Sequence, residues 1–292
     1  MRPPPPPAFQ PLTAGLRRML VVASVLVGIA GVQLFVLTEQ TERYFAWTVG
    51  PPLTAAFLGA AYWASGLLEL LAAREWLWTR ARIAVPAVFT FTALTLLATL
   101  LHYDRFHFAS PAALARTAAW AWLAIYLAVP LLLGALLLRQ LRARGGTDPR
   151  REQPLPTGVL VVLAVQAGTL LGFGLTLFVA PQVTAPLWPW ALSPLTGRAV
   201  GAWLLGLGVA AAQACVEDDW RRIGAAMRSY TLLGVLELVA LARYPDAVDW
   251  TGPGGWVYVA FLVSILAVGL AGWYATRPAL RRADTARAAG GA

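Results

Sequence analysis

The sequence predicts an all-α integral membrane bundle of eight transmembrane helices, built as two tandem parallel four-helix repeats. Three observations predict it: eight apolar runs of spanning length, an uneven share of arginine between the joining segments, and a match of the chain to itself at an offset near 142. With 59% hydrophobic and 13% charged residues, the chain is more apolar than a soluble domain of 292 residues, which points to a bilayer as its solvent.

Lipid offers no partner to backbone N–H and C=O groups, so a crossing segment satisfies them internally as a helix of about 20 apolar residues. The first run, 17–38, opens on Arg17 and Arg18 and has no clear small-residue cleavage site, so it reads as a retained span. The second, 52–73, starts at Pro52; proline suits a first helical turn because its missing N–H would be unpaired there. The third covers 82–102. The fourth, 116–138, contains Pro130, which removes one helix hydrogen bond and predicts a kink. A polar stretch with Gly145-Gly146 and several prolines follows as a linker. The fifth run is 157–180, the sixth, 195–216, again follows a proline, the seventh, 223–243, carries Glu237, and the eighth is 254–275. The chain is thus divided into a Pro-rich tail (1–16), a first repeat (17–141), a linker (142–156), a second repeat (157–276) and an Arg/Ala-rich tail (277–292).

The 23 basic residues are all arginine, and 18 of them fall on one side of this arrangement. By the positive-inside rule that side is cytoplasmic and both termini lie there, in a bacterial cytoplasmic membrane. The other side holds Arg43, Arg105, Arg116, Arg198 and Arg243. The split accounts for the basic pI without nucleic acid; the expected partners of these arginines are anionic lipids at the cytoplasmic face.

At offset 143, Gly31, Leu34, Phe35, Val36, Thr41 and Trp47 fall on Gly174, Leu177, Phe178, Val179, Thr184 and Trp190. At offset 142, Pro52-Leu53-Thr54, Gly59-Ala60 and Gly66 fall on Pro194-Leu195-Thr196, Gly201-Ala202 and Gly208, and the match runs on through Ala72, Glu75, Trp78 and Arg80. Ten of 29 positions from 52 to 80 are identical, where this composition would give roughly two or three by chance. Units of four spans enter the membrane in the same direction, so the axis relating them should run along the membrane normal. The runs Trp47 to Ala60 and Trp188 to Thr196 resemble segments of uncharacterised bacterial multi-pass membrane proteins. That resemblance implies a membrane location and no activity.

Two outer elbows, Tyr44-Phe45-Ala46-Trp47 and Leu187-Trp188-Pro189-Trp190, turn directly into helices at Pro52 and Pro194, placing Thr54 and Thr196 one turn inside. They read either as a pair of sites for an anionic or carbonyl-bearing group at the positive end of a helix dipole, with Trp47 and Trp190 beside them, or as an aromatic belt repeated by duplication. On the inner side, Glu75, Arg80, Glu217 and Arg222 are shared between the repeats and form a candidate latch, beside a plain anchoring role. Two carboxylates fall inside spans. Glu69 is within about one turn of the inner boundary and is expected to snorkel outward, whereas Glu237 is about 21 Å along its span and is a candidate proton or substrate site, beside a helix-packing role. Gln33, Gln166 and Gln213 read as interhelical hydrogen-bonding groups. His102 and His107, five residues apart, do not have metal-ligand spacing and read as a surface loop.

With one cysteine, Cys215, no intrachain disulfide forms. No phosphate loop, nucleophile elbow or zinc-protease signature is present, so no catalytic, metal or cofactor residues are named, and a membrane enzyme, which would need a polar cluster in one cavity, is the third reading after the two below. The expected function is binding or transport of a small solute or lipid at the interface of the repeats, with Glu237 in a polar cavity there. A non-catalytic scaffold or subunit of a membrane complex, recognised through its helices or its Pro-rich tail, is the alternative.

Overall fold

The computed structural model describes residues 9–143 and 146–289, with side chains through Arg277. It is an all-α membrane bundle of eight long helices: α1 (Ala14–Val36), α2 (Pro52–Arg74), α3 (Ala84–Leu101), α4 (Ala113–Arg142), α5 (Thr157–Val179), α6 (Pro194–Glu217), α7 (Trp220–Arg243) and α8 (Pro253–Ala289), each with a stretch long and apolar enough to cross a bilayer. Of the expected tails, residues 1–8 and 290–292 lie outside the described residues. Residues 9–13 are packed rather than free: Leu12 is buried, its N–H donates to Trp76, and the Thr13 N–H donates to the buried Gln140 side chain on α4 at 2.8 Å.

The helices sort by burial. In α2, 78% of the apolar window is buried, against 28% in α1, α4, α5 and α8, so α2 belongs to the interior and the other four face lipid. The middle of the bundle holds α2, α3, α6 and α7. There α2 packs closely on α7 and α3 on α6, while α1 flanks α2, α4 flanks α3, α5 flanks α6 and α8 flanks α7. Raising each label in one half by four, and lowering it in the other, converts the α2–α7 contact into α6–α3.

Two glycines explain how the flanking helices sit so close. A Cβ on Gly59 would lie 2.5 Å from the backbone nitrogen of Phe35, and one on Gly201 would lie 2.9 Å from that of Phe178. Only glycine lets the backbones of α1 and α5 come so near α2 and α6. The last turn of α1, Val32–Val36, is a π-helix, and the Phe35 carbonyl accepts from Arg243 on α7 at 2.5 Å. Thr38 and Tyr244 share a 2.6 Å hydrogen bond beside it. The end of α1 is thereby tied to the end of α7. Helix α4 runs unbroken in its hydrogen-bonded assignment through Pro130.

At the arginine-rich end, the segment joining α4 to α5 is strapped to the α6–α7 turn. Asp219 caps α7, accepting from the N–H groups of Arg221 and Arg222, while its other oxygen accepts from Glu152 and Gln153; Asp218, in the left-handed region at φ 42°, accepts from the Leu155 N–H. An aspartate suits both positions, since its short carboxylate reaches nearby backbone donors and tolerates that conformation.

Candidate functional site: a cavity between helices α5 to α8

The largest enclosed polar question in the molecule is Glu237. It lies six residues, about 9 Å, from the elbow end of α7 and is 1% exposed. One carboxylate oxygen accepts from the Tyr258 hydroxyl of α8 at 3.2 Å, and the other has no hydrogen-bond partner among the described residues. Both side chains line a cavity of about 260 Å³, roughly nine water volumes.

Its walls are apolar: Leu170 and Phe173 of α5, Leu204 and Leu207 of α6, Leu233 of α7, and Phe261 and Ile265 of α8. The elbow segment Leu187-Trp188-Pro189 forms its lid, and Leu187 and Val257, both well exposed, mark the rim. Trp188 is held against Phe57, Phe173 and Tyr258, and its buried indole N–H has no partner among the described residues. Two buried groups without a partner among the described residues, a Glu237 oxygen and the Trp188 N–H, thus belong to residues that line this cavity, Glu237 in its wall and Trp188 in its lid. Buried polar atoms are normally paired.

This cavity belongs to the second half of the chain, with Phe57 of α2 its one contribution from the first. It does not coincide with the seam between the halves, where the sequence placed it. The seam is packed with aromatic rings: Tyr62 and Trp203 meet edge to face at 4.9 Å, and Phe91 stacks on Trp203 at 3.7 Å. In the first half, Phe45 stands at the place of Trp188 (offset 143), Leu96 at that of Glu237 (offset 141, where Tyr103 falls on Tyr244) and Trp122 at that of Tyr258 (offset 136, where Trp120 falls on Trp256). There Phe45 and Trp122 pack together with Trp47 and Phe106, and Trp122 donates to Thr99. No carboxylate is present in that cluster.

The elbow residues are drawn into the protein. The Trp190 indole donates to the Thr54 hydroxyl at 2.8 Å across the seam, and Thr196 donates to the Ser193 carbonyl at 3.1 Å within its own helix start. Thr54 and Thr196 are 0% and 1% exposed, so both hydroxyls are engaged internally. Trp47 stands apart from this pair, in the first-half cluster. His107 pins that elbow: since a carbonyl only accepts, its Nδ1 donates to Phe45 at 2.9 Å and its Nε2 accepts from Thr48 at 3.0 Å. His102 accepts from Arg198 of α6 at 2.7 Å; burial, reinforced by that guanidinium, holds its imidazole below the ordinary value.

The inner-side residues separate into unlike pairs. Arg80 reaches Glu75 at 3.6 Å with both side chains about a third exposed. Glu217 is fully buried and takes Arg222 at 3.3 Å, Gln213 at 2.8 Å and, from the first half, both nitrogens of an Arg82 fork, one of them at 2.6 Å. The cross-half clamp is Arg82 to Glu217, with Asp148 of the linker on the other side of the guanidinium at 2.7 Å. The hydrogen bond to Glu217 raises Arg82 further above its ordinary value.

Glu69 does not snorkel. It is 1% exposed, accepts from Ser65 at 2.9 Å and keeps one oxygen without a partner among the described residues. The reason is the burial of α2, which packs this side chain among neighbouring helices and away from the lipid-facing surface. Of the three glutamines, Gln166 bridges α5 and α8 through Ser264, Gln33 caps the Tyr44 carbonyl, and Gln213 serves Glu217 on its own helix.

No family model matches the chain, and no curated protein or solved structure matches it significantly.

Proposed function

We propose that this integral membrane protein binds an amphiphile of the bilayer in the cavity between α5 and α8, as a carrier or lipid-binding protein. Glu237 in the wall and Trp188 in the lid, each with a polar atom unpaired among the described residues, carry this reading. A polar group that both donates and accepts, as a hydroxyl does, completes both, while an alkyl chain fills the space among Leu204, Leu207, Phe261 and Ile265. The proposal includes a bacterial cytoplasmic membrane with both termini on the cytoplasmic side, arginines there facing anionic lipid. It also includes descent of the two halves from one four-helix unit, supported by the self-match, by the exchange of α2–α7 for α6–α3, and by Gly59 on Phe35 matching Gly201 on Phe178.

A brominated long-chain alcohol tests the reading through quenching of tryptophan. Saturable quenching is expected in the wild type, reduced in amplitude by Trp188→Phe. Its affinity should weaken about 10-fold or more in Glu237→Leu, since a hydrogen bond to a buried polar group is worth about 1–3 kcal/mol. Leu204→Trp, which fills the cavity, should abolish it. Equal quenching in all four proteins sinks the proposal. The aromatic packing of the seam favours a second reading, a scaffold whose halves do not move on each other; a stable co-purifying protein together with no saturable quenching would select it.

A further inference from the structure

A second cavity, of about 40 Å³, lies at the seam, end to end with the first. Leu207 of α6 lines both. On α7, Glu237, Leu233 and Ser229 are spaced four apart and so share one face; Glu237 and Leu233 line the first cavity and Ser229 the second. Leu207 is thus the side chain that the two cavities share, and Leu233 stands between Glu237 and Ser229 along the same face of α7.

The second cavity is polar at its far end. Ser65 and Ser229 both line it, and Ser65 donates to Glu69. Ser229 donates to the Ala64 carbonyl at 2.6 Å, which puts those two residues of the antiparallel α7 and α2 at one depth. From that level Glu237 lies eight residues, about 12 Å, toward the elbow end, and Glu69 lies five residues, about 7.5 Å, toward the arginine-rich end. Two buried carboxyls, each with one oxygen unpaired among the described residues, thus stand at different depths, Glu237 in the wall of the first cavity and Glu69 hydrogen-bonded to Ser65 of the second. A space of about 40 Å³ with two hydroxyl oxygens has room for a water, which needs about 30 Å³ and two to four polar partners. Tyr62, seven residues before Glu69 and so on the same face of α2, shares a 2.6 Å hydroxyl–hydroxyl bond with Tyr126. The self-match replaces Tyr62, Ser65 and Glu69 by Leu204, Leu207 and Ala211, so this polar stripe exists once in the chain.

We infer that the chain carries protons across the membrane, between Glu237 and Glu69, through these two cavities with Leu207 and Leu233 as the gate. When Leu207 and Leu233 part, water joins the cavities. Glu237 then gives its carboxyl proton to that water as the elbow-side oxygen is reprotonated from the first cavity, and the water chain gives a proton to Glu69 beside Ser65, which releases its own toward the arginine-rich end. One O–H bond breaks for each that forms, and no electron moves.

Proteoliposomes containing a trapped pH dye and an imposed potassium-diffusion potential test this. Wild-type flux should exceed that of protein-free vesicles, Leu207→Ala should raise it about tenfold, and Glu69→Gln in either background should return it to the protein-free rate. Wild-type or Leu207→Ala flux at the protein-free rate, or flux indifferent to Glu69→Gln, overturns the inference. Glu69→Gln keeps the Ser65 contact and its size; retained alcohol quenching by that variant shows that it folds and separates this outcome from failure of the amphiphile site. Proton flux abolished by Glu69→Gln with no saturable quenching would leave the inference standing and remove the amphiphile.

Discussion

Replacing Arg82 by methionine tests whether the two halves are clamped at the arginine-rich end by one buried ion pair. Glu217 is 0% exposed and Arg82 22% exposed on their side chains. Removing the Arg82 fork leaves the carboxylate with Gln213 and with Arg222 at 3.3 Å. Breaking a fully buried pair costs about 3–5 kcal/mol. The remaining donors and the partial exposure of Arg82 reduce that to about 2 kcal/mol, the worth of a hydrogen bond to a charged group. At about 2–3 °C per kcal/mol for a chain of this size, the melting temperature in detergent should fall by about 4–6 °C. Arg80→Met removes a pair open to water on both sides, worth about 0–1 kcal/mol, and should move it by no more than about 2 °C. The Arg82→Met, Glu217→Met double variant should recover part of the loss, because it leaves no unpaired buried charge. Salt at 0.5 M should erase the Arg80 effect and leave the Arg82 effect largely intact. Equal losses for Arg80→Met and Arg82→Met, or a double variant as unstable as the sum of its parts, would refute the clamp.

Gly59→Ala and Gly201→Ala force neighbouring backbone from 2.5 and 2.9 Å out to an ordinary 3.4 Å, so each should destabilise, by about 1–3 kcal/mol and Gly59 more; Gly28→Ala meets nothing within 4 Å and should be neutral in the same thermal-shift assay. Because the folded state holds His102 below its unfolded value, the unfolded chain takes up its proton first on acidification. The stability that neutral His102 contributes is complete above about pH 6.5 and is lost as pH falls from there toward the folded-state value; His102→Asn should flatten that part of a melting profile between pH 7 and 5. Thr54→Val removes the acceptor of the Trp190 indole and leaves a buried N–H unpaired, costing about 1–3 kcal/mol, whereas Thr54→Val with Trp190→Phe should cost less than the two single losses added.

The helices were legible because lipid imposes one requirement on every spanning segment. Pro52 and Pro194 mark helix starts from sequence to structure without adjustment, and all eight apolar runs become helices, seven within a few residues of their expected ends and the eighth continuing past 275 to Ala289, into the expected tail. What sequence could not rank was neighbours within one loop. Arg80 carries the self-match and Arg82 does not, yet Arg82 reaches Glu217, since the short helix Trp78–Ala81 turns the chain under α7 and brings Arg82 out toward the second half. Identity of a residue at matched positions of the two halves does not place it in a contact between them, as Arg80 and Arg82 show. Tyr258 was missed for a related reason: its counterpart is Trp122, a larger ring without a hydroxyl, so the self-match gave no hint that it serves a carboxylate. Glu69 was misplaced because distance from the helix end decides snorkelling only for a helix that touches lipid, and the burial of α2 is a property of the helices packed around it, α1, α3, α6 and α7.

The same comparison bears on why a duplicated bundle would hold one site of each kind. A carboxyl in the hydrocarbon is costly unless the packing around it supplies partners, so two symmetric copies would double that cost around an axis already filled by Tyr62, Phe91 and Trp203. Here the polar stripe of Tyr62, Ser65 and Glu69 runs on α2 in the first half and is apolar on α6 in the second, while the carboxyl of α7 is a leucine on α3. The two asymmetries fall on α2 and α7, helices that pack on each other, and not on the equivalent pair α6 and α3. One side of the seam thus gathers both buried carboxyls and the other has no counterpart to either. If the halves are copies, that arrangement concentrates every unpaired acid of the membrane interior in a single column, and a substitution placing a carboxylate on the opposite side, Leu96→Glu, should destabilise the bundle far more than Glu237→Gln on the polar side.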